Sequence, residues 1–225
     1  LKAVRTSYVP GDRRDHYLAE SEFRRLFSTF LNELLQIAND ESSGGKRELL
    51  NIYGEPLQPC RPEGSSDTRG SWNSNGYCDE TGGGVHQICV EVDKTPDFSH
   101  NTGQGRWSDG RAGKNHCMCL GAWALYKAKQ EKGIIPKTDN ELYCEAIMKD
   151  ALHERYVGKW NTWNGHELDD QIVHGVNQLM EQCYTKGNLT QKKHIKQLYK
   201  DFINNNELSY AHYYFKVILS NIKFL

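Results

Sequence analysis

The fold is predicted to centre on the segment Val85-His-Gln-Ile-Cys-Val-Glu-Val92 and on His116-Cys-Met-Cys119. The first segment is rich in β-branched residues and alternates with a period of two, which predicts a strand. The second begins like a strand or a buried turn and continues into a helix that ends before Gly133. Two such segments predict a small sheet that passes directly into a helix.

Five of the seven cysteines lie between residues 60 and 119, close to two histidines. A structural zinc site needs about four thiolate or imidazole ligands in a tetrahedron, and two local pairs of ligands commonly supply them. Because alternation places His86 and Cys89 on opposite faces of a regular strand, a bulge or a turn is needed to bring them together. The sequence predicts zinc as the one cofactor, with its ligands among Cys78, His86, Cys89, Cys117 and Cys119.

Three other interpretations of the cysteines stay open. In one, they pack the core as small buried thiols. In another, they form disulfides, such as Cys60 with Cys78. In the third, one cysteine is a catalytic nucleophile with His86 or His116 as its base. Because such partners meet only in the folded chain, the sequence assigns no catalytic residue.

Composition limits the class of protein. The chain is 37% apolar with a net charge of −1, and no run of eighteen apolar residues predicts a membrane span. Seven cysteines cannot all pair, and secreted disulfide scaffolds are usually shorter and denser, so we expect a reducing compartment inside a cell. The lysine-rich tail from Tyr184 onward is typical of a solvated helix face, and no nucleic-acid partner is expected.

Helical patterns flank the cysteine-rich segment. Apolar residues repeat at intervals of three and four from Phe23 to Ala38, which predicts an amphipathic helix over residues 15–39. We predict an α+β fold with a small, mostly antiparallel sheet wrapped by helices. Its parts are an N-terminal helical arm (1–48), a cysteine-rich core (49–165) and a basic helical tail (166–225). Further helices are predicted over 141–153, 169–184, 190–204 and 209–225.

Four spaced motifs resemble one known family. They are Ile52-Tyr-Gly-Glu-Pro-Leu-Gln-Pro-Cys60, Gly76-Tyr-Cys78, Gly84-Val-His-Gln-Ile-Cys89 and Lys114-Asn-His-Cys-Met-Cys-Leu120, followed by Trp123. In this order they resemble the uncharacterised family known as domain of unknown function twenty-two thirty-seven, over residues 50–135. His116 departs from the tryptophan usual in its bacterial members, and residues 98–108 resemble its branch in algae, protists and large DNA viruses. The resemblance implies kinship and supplies no activity.

The two ends of the chain lead to the predicted function. The apolar stripes Phe23–Leu35 and Tyr213–Phe224 are expected to pack against other protein subunits. We therefore predict a structural or assembly component of a large complex. The resemblance to the branch found in large DNA viruses implies a minor capsid protein in a virion, and an assembly in an organelle is equally compatible. The alternative is a thiol- or metal-dependent enzyme of unknown substrate. An enzyme requires an open cavity beside the cysteines, whereas a structural component buries them and exposes apolar helix faces.

Overall fold

The computed structural model describes residues 27, 49–80, 84–161, 168 and 170–205. The chain divides into two compact units, residues 1–47 and 48–225. Only Phe27 is described in the first unit, where it is helical and exposed. The predicted helices over 15–39 and 209–225 otherwise lie outside the described residues. The second unit includes both the predicted core (49–165) and the predicted tail (166–225).

A two-stranded antiparallel sheet lies at the centre of the second unit. Strand β1 is His86–Glu91 and strand β2 is Asn115–Cys119. The α+β prediction with a small antiparallel sheet is confirmed. The sheet's outer edge is covered in part by the segment after the central helix, since the amide of Tyr143 donates to the carbonyl oxygen of Cys89 over 3.0 Å.

Five helices lie among the described residues. They are α1 Phe98–Asn101, α2 Leu120–Glu131, α3 Glu154–Asn161, α4 Gln171–Lys186 and α5 Leu189–Asn205. Short 3-10 turns occur at Val92–Lys94, Trp107–Arg111, Cys144–Ala146 and Lys149–Leu152. Within these residues no helix is both long and apolar enough to cross a bilayer.

The helix predicted over 141–153 is wrong, because this segment forms two 3-10 turns instead. Its backbone bonds to distant parts of the chain. The carbonyl oxygen of Ile147 accepts from the amide of Ile52, and that of Glu145 accepts from the amide of Gln58. A regular helix would consume these groups internally, so tertiary pairing overrides the local pattern.

The central helix α2 is buried on nearly every side and begins directly where β2 ends. Trp123 is fully buried, as predicted, and its indole N–H donates to the carbonyl oxygen of Gly175 in α4 over 3.3 Å. A Cβ atom at Gly175 would lie 2.9 Å from Ala124, so the glycine permits the close approach of α4 to α2. This packing holds the first turn of α2, and the cysteine before it, against the sheet.

Candidate active site

Six of the seven cysteines are paired in disulfides, which are Cys60–Cys89, Cys78–Cys117 and Cys144–Cys183. The expectation that at least three cysteines of the 60–119 segment converge is confirmed, since the sulfur atoms of Cys60, Cys78 and Cys89 lie within 4.8 Å of one another. The pairing of Cys60 with Cys78 is wrong. One cysteine, Cys119, keeps a free and buried thiol.

The five predicted zinc ligands separate into two groups. Cys78, Cys89 and Cys117 are oxidised, and a disulfide sulfur is not the thiolate that zinc requires. His86 and Cys119 are left together, which is half of a structural zinc site. In the disulfide-bonded form these residues do not fit a zinc ion. The cluster of Cys60, Cys78 and Cys89 has the spacing to hold a metal only after reduction.

Strand pairing brings His86 and Cys119 face to face. The register aligns His86 with Cys119 across the sheet, and a bulge lies between His86 and Ile88. Such a bulge re-aims the side chains next to it, but His86 meets Cys119 here and not Cys89, whose sulfur is bonded to Cys60. Val85, immediately before the strand, has a φ of 51°, a strained value for a β-branched residue. The backbone is thus bent at the point where it presents the imidazole.

The Cys119 sulfur lies 3.0 Å from Nε2 of His86. The other ring nitrogen, Nδ1, contacts the carboxylate of Glu80. A carboxylate on Nδ1 fixes the tautomer in which Nε2 is unprotonated and faces the thiol. Glu80, His86 and Cys119 therefore form a carboxylate–imidazole–thiol relay, the arrangement by which a nucleophile is paired with an oriented base.

Burial sets the charge state of this relay. It raises the pKa of the Cys119 thiol to about 11, against hydrogen bonds from Gln104 and the residue's own backbone N–H. It also lowers the pKa of His86. The negative charge of Glu80 opposes this lowering of the His86 pKa. Because the Glu80 side chain is 42% exposed, solvent screens its charge. The resting pair at neutral pH is a neutral thiol beside a neutral imidazole, ready to accept a proton.

Gly84 leaves room for the imidazole. A Cβ atom at this position would lie 2.6 Å from Cε1 of His86, closer than real Cβ contacts. Gly110, which lines the cavity described below, has nothing within 4 Å of such an atom. The ring of His86 thus packs directly against the backbone of Gly84. Any larger residue at position 84 must displace the ring.

A cavity of 390 Å³ opens beside the thiol, within the 300–1,000 Å³ usual for small-molecule sites. The ring of Trp107 stacks on that of His116 at 4.2 Å and meets Phe98 at 6.0 Å. The Arg111 guanidinium in the wall is paired with Asp67 at 2.7 Å. The cavity therefore offers an aromatic wall and a neutralised cation. Its lining is Arg69, Ser71, His86, Phe98, Gln104, Trp107, Gly110, Arg111, His116, Cys117, Met118 and Cys119.

His116, the second base considered from sequence, does not contact the thiol. Its Nε2 lies 3.1 Å from the hydroxyl of Ser71. Burial, aided by Arg111 and His86, lowers its pKa to about 3, so it stays neutral. Sequence reasoning missed Glu80 and Gln104 altogether. The signal for Gln104 was its place in the loop from 101 to 109, which carries a tryptophan and polar residues between glycines.

Comparison with protein-family models, with curated proteins and with solved structures finds no match for this chain. The chemistry of the site must be argued from its own geometry.

Proposed function

We propose that the protein is a thiol-dependent enzyme, with Cys119 as its nucleophile, His86 as general base and Glu80 as the residue that orients the base. The observation that supports it is the relay itself, with the sulfur 3.0 Å from Nε2 and a carboxylate on Nδ1. A buried structural thiol needs neither an oriented imidazole nor a cavity.

The reaction begins with a proton transfer. As the sulfur attacks an electrophilic carbon, its proton passes to Nε2 of His86, and an S–C bond forms while the bond to the leaving group breaks. The imidazolium then returns its proton to the leaving group. A water molecule, deprotonated by the same nitrogen, releases the covalent intermediate and restores the thiol. The protein ends each cycle as it began.

The location of the thiol supports this role. Cys119 is only 5% exposed overall, yet it lines the cavity together with His86. A substrate that fills the cavity reaches the sulfur, whereas bulk water reaches it poorly. Exclusion of water strengthens the electrostatic effect of the donors at the site.

The other sequence-based predictions stay predictions. Assembly through the terminal helices rests on residues outside the described part of the chain. Zinc binding by Cys78, His86, Cys89, Cys117 and Cys119 requires a reduced chain, because three of these cysteines are in disulfides. The intracellular or virion setting competes with the three disulfides, which form and persist in oxidising environments. The resemblance to the uncharacterised cysteine-rich family likewise stays a prediction.

The test measures alkylation of the unreduced protein by iodoacetamide at pH 7.5. We expect one adduct, located on Cys119 by peptide mass spectrometry. His86→Ala should slow its formation about 100-fold, the lower end of the range for general-base catalysis. His100→Gln removes an exposed imidazole elsewhere and should leave the rate unchanged. Equal rates in wild type and His86→Ala, or an adduct on another cysteine, would overturn the proposal.

A further inference from the structure

Gln104 is the one amide side chain among the described residues that reaches the Cys119 sulfur. Its Nε2 lies 4.0 Å from Sγ, a long contact, and no other hydrogen-bond partner of Nε2 occurs within the described part of the chain. The opposite end of the amide is held, since Oε1 lies 2.9 Å from the hydroxyl of Thr102. The nitrogen end of the amide therefore faces the nucleophile, and one of its two N–H groups has no partner among the described residues.

The loop that carries Gln104 is built to hold it there. Gly103 and Gly105 have φ values of 70° and 75°, which glycine adopts without penalty. The backbone amide of Gln104 donates to the carbonyl oxygen of Ser99 over 2.7 Å. A tight turn on each side of one anchored residue fixes the direction of its side chain.

We infer that the reaction of this site is acyl transfer, and that the Gln104 amide, with the backbone N–H of Cys119, binds the oxyanion formed when the sulfur attacks a carbonyl carbon. This inference rests on the proposed function. The substrates of such a site are carboxylic esters, thioesters or amides. Their acyl carbon bonds to the Cys119 sulfur, and the alcohol, thiol or amine leaves with the proton that His86 had accepted.

The 4.0 Å separation suits this role. An effective donor lies about 3 Å from the oxyanion. In the tetrahedral intermediate the oxyanion and the sulfur are bonded to the same carbon atom. A donor placed for the oxyanion therefore lies farther from the sulfur than from the oxygen. In a displacement at saturated carbon, charge collects on the leaving group, on the side of carbon away from sulfur. Gln104 lies on the sulfur side, where its Nε2 contacts Sγ, and this position favours a carbonyl substrate.

A second donor comes from the strand-to-helix junction. Cys119 ends β2 and is the N-cap residue of α2, so its backbone N–H lies at the N-terminus of that helix. Amides in the first turn of a helix lack intrahelical partners and carry partial positive charge. The side-chain amide of Gln104 and the backbone amide of Cys119 thus approach the sulfur from two different elements.

The test compares two reagents on the same variants. p-Nitrophenyl acetate acetylates a thiol through an oxyanion, whereas iodoacetamide alkylates it without one. Gln104→Ala should lower the rate of acetylation of Cys119 about 100- to 1,000-fold, as for loss of one oxyanion donor, and change alkylation by no more than about twofold. Gln104→Glu keeps the size of the side chain, removes the donor and should lose acetylation to at least the same extent. Gln58→Ala, at an exposed glutamine, should change neither rate.

The outcomes separate the two proposals. If Gln104→Ala slows both reagents equally, or neither, the oxyanion role is wrong. If wild type is alkylated in a His86-dependent manner but is not acetylated, the thiol enzyme stands and acyl transfer is wrong. If alkylation does not depend on His86, the proposed function itself fails, whatever the result for Gln104.

Discussion

Cys117 and Cys119 lie two residues apart on β2, and both are buried. Cys117 is oxidised, in a disulfide with Cys78. Cys119 is opposite His86 and keeps its thiol. The two cysteines of this strand therefore differ in chemistry because they contact different side chains. Cys117 contacts a second sulfur, and Cys119 contacts an oriented imidazole. The contrast teaches that the partner across the fold, and not the local Cys-x-Cys spacing, determines the chemistry of each thiol.

The largest expected effect concerns chemistry at Cys119. Cys119→Ala should abolish both alkylation and acetylation of the unreduced protein. It should cost only about 1 kcal/mol of unfolding free energy, because one small buried atom is lost, comparable to a methylene group. Intact-mass spectrometry and urea unfolding measure the two quantities. A large loss of stability would show that Cys119 is structural, as Cys117 is.

The reverse effect is expected at the neighbouring cysteine. Cys78→Ala combined with Cys117→Ala removes a disulfide that spans 39 residues, and chain-entropy arguments give a loss of about 4 kcal/mol. Urea unfolding without reductant checks the value. Alkylation of Cys119 in the folded fraction should continue to depend on His86. The matched comparison is Cys144→Ala with Cys183→Ala, which removes a disulfide of equal span whose cysteines do not line the cavity.

The dependence of alkylation on pH isolates the imidazole. Burial lowers the pKa of His86, so its base form is present above about pH 6.5, and the wild-type rate should be flat from pH 7 to 9. In His86→Ala only the thiolate reacts. Because the thiol pKa is raised to about 11, the thiolate fraction and the rate should rise about 100-fold over the same interval. Parallel profiles in the two proteins would contradict the relay.

The smallest expected effect concerns the packing of the His86 ring against Gly84. Gly84→Ala places a methyl group against the ring of His86 and should slow alkylation about tenfold, since displacement of about 1 Å in a catalytic group costs up to about 100-fold. Gly110→Ala adds the same methyl group to an open part of the cavity wall and should leave the rate as it is. If both variants behave alike, the ring does not depend on Gly84.

The sequence predicted the sheet, its passage into the central helix, and the convergence of the cysteines, because these depend on local periodicity and composition. A bulge does occur near His86, but it does not bring His86 to Cys89, which was the reason that the zinc hypothesis needed a bulge or turn. The choice of disulfide partners could not be predicted, since Cys60 reaches Cys89 only after the chain turns back on itself. The contacts of Glu80 with His86 and of Gln104 with Cys119 could not be predicted either, because each depends on how the chain turns between the two residues.

The order of the disulfides along the chain bears on how the relay assembles. Cys60–Cys89 and Cys78–Cys117 interleave, so each loop encloses one end of the other. His86 and Cys119 are 33 residues apart, but through the Cys78–Cys117 bridge the covalent path between them is much shorter. The oxidised chain therefore has a lower effective contact order at this site. Less loop entropy is lost when His86 and Cys119 come together, because the path that joins them is shorter. An unfolded but oxidised chain should rebuild its nucleophile and base quickly, whereas a reduced chain must search for them.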